Sequence, residues 1–178
     1  MDKLREVAEN VEIRAIDNPK NFVKACTVLD ATRLPLRGLY YINMFGAFGL
    51  EGKLYGTVGY EDFEDHALIR SLAVAPSMQF LGLGRRLLQF VMDHLTDNFY
   101  QRVYAVTEFA QDFFTKLRFV QISEDELPET VQKTNLIAME YANTRSAMFF
   151  VRELYPGPRP VDMGPQRRML VRPLADLN

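Results

Sequence analysis

The chain has 178 residues, 48% of them hydrophobic and 25% charged, and 21 Lys+Arg against 23 Asp+Glu give a net charge of −2. This is the composition of a folded globular protein, and the balanced charge leaves no basic excess for nucleic acid or anionic membranes. The single cysteine, Cys26, excludes an internal disulfide, and the two histidines, His66 and His94, show no metal-ligand spacing. We expect one cytoplasmic domain without metal, signal peptide or membrane span.

Strand and helix patterns alternate before residue 155. Asn18 and Pro19 predict a helix start, and apolar residues spaced by helical turns from Leu83 to Leu95 predict a helix with one buried face. The predicted strands cover residues 11–15, 45–51, 54–61, 67–74, 102–106, 119–122 and 146–154. The predicted helices cover residues 19–29, 83–95, 110–117 and 127–133, with a short one within 38–44. Early hairpins and later strand–helix–strand units predict an α/β fold, a mixed sheet flanked by helices.

Residues 155–178 differ from the rest, because they hold five of the nine prolines and proline blocks regular structure. We therefore expect a domain over residues 1–154 and a proline-rich arm or tail after it. An arm that crosses onto a second subunit, with Met169, Leu170 and Val171 as apolar anchors, would form a homodimer. The alternative is a disordered tail, since chain ends are commonly loose.

The most informative stretch is residues 72–88, LAVAPSMQFLGLGRRLL. A strand ends there, a proline turn follows, and Gly82 and Gly84 precede a helix. Glycine lets a backbone approach a ligand closely, and the free amides of a helix N-terminus bind anions such as a pyrophosphate. The turn lacks the Gly-Lys-Ser/Thr of a P-loop, and Leu87 stands where the dinucleotide fingerprint has its third glycine.

The run from Gln79 to Gly84, QFLGLG, matches the Gln/Arg-x-x-Gly-x-Gly/Ala signature of the GNAT N-acetyltransferases. Residues 110–117, AQDFFTKL, resemble the A-x-x-F-[YF]-x-K-L-G-F element of the same family, and the resemblance extends from about Val11 to Leu154. It implies the GNAT fold, a mostly antiparallel mixed sheet that splits between strands 4 and 5. It also implies acetyl-CoA as co-substrate and direct acetyl transfer to an amine.

A closer resemblance narrows the acceptor. Residues 123–130, SEDELPET, with Arg145 and Ser146, resemble the end of the acetyltransferase domain of N-acetylglutamate synthases. Together with residues 68–74, LIRSLAV, they are also similar to the arsenic-resistance N-acetyltransferases. Both resemblances imply a small, amino-acid-like acceptor with a carboxylate, and they place acceptor contacts at Arg145 and Ser146.

The family resemblance also implies the residues that hold the co-substrate. Leu72 and Val74 would bind the thioester and pantetheine, and Phe113 and Phe114 would pack near the end of the pantetheine arm. The pyrophosphate would bind the backbone amides of Gly82, Leu83, Gly84 and Arg85. The side chain of Gln79 would also contact it.

The residues at the family's general-acid and general-base positions depart from the family pattern. Phe114 stands where many members carry a tyrosine acid, and Leu68 where some carry a glutamate. Glu108 is then the nearest carboxylate to the predicted split, either a catalytic base or a solvated loop acid. The missing groups leave a second function open, a degenerate acyl-CoA-binding module whose tail engages a partner.

Arg70 is the unusual residue of its strand. Strand alternation places it on one face with Leu68, Leu72 and Val74, and an arginine in an apolar strand requires an anion or solvent. It either binds the carboxylate of the acceptor or forms an internal ion pair. A second unusual arginine, Arg118, replaces the glycine of the K-L-G-F element. Either the turn differs there or Arg118 meets a ligand.

Overall fold

A computed structural model describes residues 2–141 and 144–154, so the predicted arm or tail lies outside the described residues. Within them the chain forms seven strands in one sheet. The strands are β1 Glu12–Ala15, β2 Asn43–Phe48, β3 Leu54–Phe63, β4 His66–Val74, β5 Arg102–Thr107, β6 Val120–Ile122 and β7 Met148–Glu153. All seven predicted strands are present, and their bounds differ from the predicted ones by a few residues.

The helices surround this sheet. They are α1 Asp2–Glu9, α2 Pro19–Ala31, α3 Leu83–Asp97, α4 Gln111–Lys116, α5 Glu129–Gln132 and a π-helix, Leu136–Tyr141. The predicted start of α2 is confirmed, since the Asn18 side chain accepts a hydrogen bond from the Asn21 amide at 2.9 Å. The helix expected within 38–44 is a single 3-10 turn, Leu39–Tyr41, and α1 and the π-helix were not predicted. No helix among the described residues has the length and apolar character to cross a membrane.

The strand order is β1-β2-β3-β4-β5-β7-β6. Among the seven strands of the described residues, only β4 and β5 run parallel, and every other neighbouring pair is antiparallel. The predicted mixed, mostly antiparallel sheet is therefore confirmed. The parallel pair is possible because α3 provides the long crossover connection between its two strands.

Helices cover both faces of the sheet, and each face has its own apolar core. On one face Leu87, Val91 and Leu95 of α3 pack fully buried against strand residues such as Val103. On the other, α2 covers the first strands and α5 covers β4 and β5. The regular spacing of the buried residues of α3 is the one that the sequence predicts.

The sheet splits between β4 and β5, as the fold prediction requires. These strands pair only from His66 opposite Arg102 to Ile69 opposite Ala105, and beyond this point each continues without the other. A β-bulge lies at the divergence: Ser71 has a φ of 57°, and the β3 partners jump from Gly59 opposite Arg70 to Thr57 opposite Ala73. Bulges bend a strand and raise its twist, which turns β4 away from β5.

Because of the bulge, the side chains of β4 do not alternate between the two faces of the sheet as the sequence predicts. Leu72 and Val74 pack toward the core under α3, whereas Leu68 belongs to the core on the opposite face. Arg70 lies before the bulge and stays on the Leu68 side, because it bonds to Glu61, the residue opposite Leu68. The expectation that all four side chains share one face is wrong, because the extra residue shifts the two-residue period by one.

The chain forms the left-handed turn at Arg118 that a glycine usually forms at this position of the family. Its φ is 64°, and the Phe119 amide reaches back to the Phe114 carbonyl at 3.1 Å to end α4. The rings of Phe114 and Phe119 lie 5.2 Å apart beneath it, while the Arg118 side chain is exposed. The left-handed conformation costs a non-glycine residue about 1 kcal/mol, and the apolar contact below the turn offsets that cost.

Candidate active site

The gap between the diverging strands opens into a cleft of about 610 Å³, a volume typical of small-molecule and cofactor sites. The unpaired part of β4 forms one wall, and Val106 and Thr107 of β5 form the other. Phe113 and Phe114 of α4 and the residues Phe80 and Phe109 complete the wall on one side. The rest of the lining comes from the loops after β4 and β5, from residues after α2 and from the π-helix: Gln79, Ala110, Thr32, Leu34, Pro35, Leu136 and Tyr141.

The turn after β4 connects this cleft to the start of α3. The Gln79 side-chain amide donates to the Val74 carbonyl at 3.1 Å and so holds the turn against the strand end. Gly82, with a φ of 82°, is the N-cap of α3. The first amides of the helix lack intrahelical partners, and the helix dipole adds partial positive charge at this end. These are the features of an anion-binding helix N-terminus, and the turn adjoins the cleft through Gln79 and Phe80.

The two arginines at the start of α3 have different surroundings. Arg86 donates from its guanidinium to the carbonyls of Ala8 and Glu9, the last residues of α1, and thereby satisfies carbonyls that a helix C-terminus leaves unpaired. Arg85 is exposed. Arg86 is exposed as well but is engaged with the end of α1, so Arg85 is the one of the pair that this contact leaves available.

Gly84 lies against the wall of the cleft. A Cβ atom at this position would lie 3.6 Å from Val74 Cγ2 and 3.9 Å from Phe113 Cε2. Both neighbours line the cleft. The absence of a side chain at Gly84 therefore keeps room between the end of β4 and α4.

Phe113 and Phe114 both line the cleft, and Phe114 is also buried in the core. Phe114 is only 5% exposed and stacks on Phe150 with ring centroids 5.5 Å apart. Phe113 is half-buried and meets Phe114 edge to face at 5.5 Å. Phe114 anchors the helix, and both rings give the cleft an apolar surface at this end.

Arg70 forms the internal ion pair that was one of its two predicted alternatives. Its Nη1 donates to Glu61 Oε1 and its Nη2 to the Arg37 carbonyl, each at 2.6 Å, and its side chain is 2% exposed. Two buried polar atoms of the cleft residues, Arg70 Nε and Ser71 Oγ, have no hydrogen-bond partner among the described residues. Buried polar atoms without partners are uncommon, so this end of the cleft has unused hydrogen-bonding capacity.

Glu108 and Ser146 are brought together by the fold, although they are 38 residues apart. Ser146 Oγ donates to Glu108 Oε2 at 3.3 Å. Glu108 is half-buried just after β5, while Arg145 and Ser146 are exposed just before β7. The fold therefore brings the predicted base Glu108 into contact with Ser146, one of the predicted acceptor contacts, just outside the residues that line the cleft.

Sequence reasoning missed Tyr141, which ends the π-helix and lines the cleft. Burial raises the pKa of its phenol, the negative charge of Glu108 raises it further, and the positive charge of Arg70 opposes them. No regular pattern in the sequence marks this residue, because a π-helix has neither strand nor α-helical periodicity. The one signal in the sequence was the position of Tyr141, four residues before Arg145, which is a predicted acceptor contact.

Two nearly fully exposed aromatic rings also escaped prediction as site residues. Phe80, with a φ of 63°, is 101% exposed and Phe109 is 91% exposed, and both line the cleft. They come from the two loops that follow β4 and β5. Paired exposed aromatics at a cleft mouth are typical of a surface that a ligand covers.

The split sheet and the glycine turn at the start of α3 define the GNAT class of folds. Residues 20–119 match the acetyltransferase (GNAT) family, and the chain belongs to that family. A curated relative, the amino-acid acetyltransferase of Neisseria meningitidis serogroup A, is 33% identical over 118 residues. The match covers 65% of this chain and 26% of the relative, so the chain spans about a quarter of that protein's length.

Solved structures agree with this assignment. N-acetylglutamate synthase from Neisseria gonorrhoeae, complexed with coenzyme A and N-acetyl-glutamate, is 27% identical with a TM-score of 0.65, over 82% of this chain and 35% of the other. The ribosomal-protein-S18-alanine N-acetyltransferase of Escherichia coli is 14% identical with a TM-score of 0.61, over 86% and 99% of the two chains. The second similarity concerns the fold alone, and the predicted GNAT fold is confirmed.

Proposed function

We propose that this protein transfers the acetyl group of acetyl-CoA to the amine of a small, amino-acid-like acceptor that carries a carboxylate. The observation that carries the proposal is the cleft between β4 and β5, which ends beside the anion-binding turn of α3. The meningococcal relative named amino-acid acetyltransferase supports the acceptor class. The gonococcal structure, with its coenzyme A and N-acetyl-glutamate, supports both reactants.

The co-substrate would extend along the cleft from the turn to the split. The pyrophosphate would take the amides of Gly82, Leu83, Gly84 and Arg85, with the Gln79 side chain beside it. Beyond Ile69 the β4 backbone has no partner on its β5 side, and such an edge pairs with an amide-bearing chain as another strand would. The pantetheine would therefore lie against Leu72 and Val74, with Phe113 and Phe114 packing at its end.

The reaction would be direct attack of the amine on the thioester carbonyl. The new N–C bond forms, the C–S bond breaks, the amine loses a proton to Glu108, and the Val74 amide polarises the carbonyl oxygen. Arg70, which lines the cleft, and Arg145 and Ser146, which lie next to the Glu108 contact, would bind the carboxylate of the acceptor. Holding the two reactants in line supplies most of the rate acceleration.

The test is titration calorimetry with acetyl-CoA, followed by thiol release over a panel of amines. Each amino acid in the panel is matched with the amine that lacks its carboxylate. We expect acetyl-CoA to bind, and the amino acid to react faster than its matched amine. Binding of acetyl-CoA without turnover of any amine would contradict the proposed reaction and leave only the acyl-CoA-binding module.

We further propose a homodimer that involves residues 155–178, because this proline-rich segment directly follows the domain that ends with β7. The expected result is that a chain ending at Leu154 dimerises more weakly than the full chain. Light scattering over a range of concentrations measures it. A monomer for both proteins, or an equally tight dimer for both, would remove this segment from assembly.

A further inference from the structure

The proposed acetyl transfer releases the thiolate of coenzyme A, and a group in the cleft must protonate it. A thiol has a reference pKa of about 8.5 and a tyrosine one of about 10, so a phenol is well matched as the proton donor. Arginine does not release its proton in proteins, which excludes Arg70. An aliphatic hydroxyl is a far weaker acid than a phenol, which excludes Thr32, Ser71 and Thr107 of the cleft lining. Among the described residues that line the cleft, Tyr141 is the only phenol.

The position of Tyr141 is set by the fold. The π-helix Leu136–Tyr141 ends at this residue, and the ring packs on the apolar cluster that contains Leu68 and Tyr104. Within residues 2–141 and 144–154 its hydroxyl has no hydrogen-bond partner. π-Helical turns are rare and occur frequently at functional sites. The phenol is therefore held by its ring, and none of the other described residues binds its hydroxyl.

The charges around Tyr141 come from every element that packs near it. Glu108 follows β5, and Glu140 precedes Tyr141 in the π-helix and pairs with Arg37 at 3.2 Å. Arg70 of β4 is the opposing cation, itself paired with Glu61. Burial and the two carboxylates raise the pKa of the phenol, with the Arg70 charge opposing them, so the phenol carries its proton at neutral pH, as it does at its reference pKa of about 10.

We propose that Tyr141 is a catalytic residue, the general acid that protonates the departing thiolate of coenzyme A. This inference rests on the proposed acetyl transfer. As the amine nitrogen bonds to the carbonyl carbon, the C–S bond breaks and its electron pair takes the Tyr141 proton, which gives the free thiol. Glu108 accepts the proton that the amine loses, and that proton then returns to the phenolate. The net products are the amide and coenzyme A, with both side chains restored.

The test is Tyr141→Phe, measured by thiol release with the best acceptor of the amine panel. The change removes only the hydroxyl, so the melting temperature should stay unchanged. We expect kcat to fall about 100-fold, with unchanged acetyl-CoA affinity and unchanged acceptor KM. The solvent deuterium isotope effect on kcat should also fall towards one, because the variant releases an unprotonated thiolate. Tyr104→Phe is the matched control, since Tyr104 belongs to the same apolar cluster and does not line the cleft.

Each outcome is distinct. A kcat within threefold of the wild type, or a loss confined to the acceptor KM, would overturn the role of Tyr141 and leave the proposed acetyl transfer standing. An equal loss in Tyr104→Phe would assign the effect to packing and would also overturn it. Absence of turnover by a wild-type protein that binds acetyl-CoA would overturn the proposed function itself, and this role with it.

Discussion

Gly84→Val is expected to weaken acetyl-CoA binding by at least about 100-fold, which is about 2.7 kcal/mol, while the protein remains folded. A Cβ atom alone already reaches Val74 and Phe113 at 3.6 and 3.9 Å. The two γ carbons of valine extend further and would fill the space between the turn and the cleft, where the pyrophosphate must approach the helix amides. Glycine is about 1 kcal/mol less favourable than alanine inside a helix, so the substitution carries no large backbone penalty.

Titration calorimetry with acetyl-CoA measures this effect, with circular dichroism as the check of folding. Gly84→Ala is the graded control, because its Cβ makes only ordinary van der Waals contacts and should lower the affinity far less. Gln89→Val places the same side chain at an exposed position of α3 and should leave the affinity unchanged. Unchanged binding by folded Gly84→Val would remove the co-substrate site from this turn.

Arg70→Leu is expected to lower the free energy of unfolding by about 3 kcal/mol, as for other buried ion pairs that lose one partner. The change leaves the Glu61 carboxylate, 18% exposed, and the Arg37 carbonyl without their donor. For a domain of this size that loss corresponds to a melting temperature lower by roughly 6–12 °C. Denaturant unfolding of both proteins measures it.

Arg102→Leu is the matched control for burial. Arg102 pairs with Glu153 at 2.7 Å, nearly the distance of the Arg70–Glu61 pair, but these side chains are 55% and 62% exposed. Exposed pairs contribute less than about 1 kcal/mol. Equal losses for the two variants would contradict a special role for the buried pair.

A double variant separates the structural role of Arg70 from its proposed role at the acceptor. Arg70→Leu with Glu61→Leu removes both charges, and we expect it to recover most of the lost stability. If Arg70 also contacts the carboxylate of the acceptor, this folded variant should raise the acceptor KM by one to two orders of magnitude without changing acetyl-CoA affinity. An unchanged KM would leave Arg70 with the ion pair alone.

The local elements could be predicted because their signals lie in neighbouring residues. The cap at Asn18 and the apolar stripe from Leu83 to Leu95 depend on contacts within one or two helical turns. The glycine turn before α3 is likewise contiguous, so its resemblance to the acetyltransferases was recognisable from residues 72–88. For these elements the sequence by itself determined the fold class and the family.

The tertiary structure alone decided how the other end of the cleft is built. The bulge at Ser71 leaves no trace in the apolar pattern, yet it separates the faces of Arg70 and Leu72. Strand register places Glu61 beside Arg70, and the return of β7 brings Ser146 to Glu108. The physical reason is that periodicity reports which face a residue occupies within its own element. Which groups meet across elements depends on register, bulges and a π-helical turn, and these follow from packing of the whole chain.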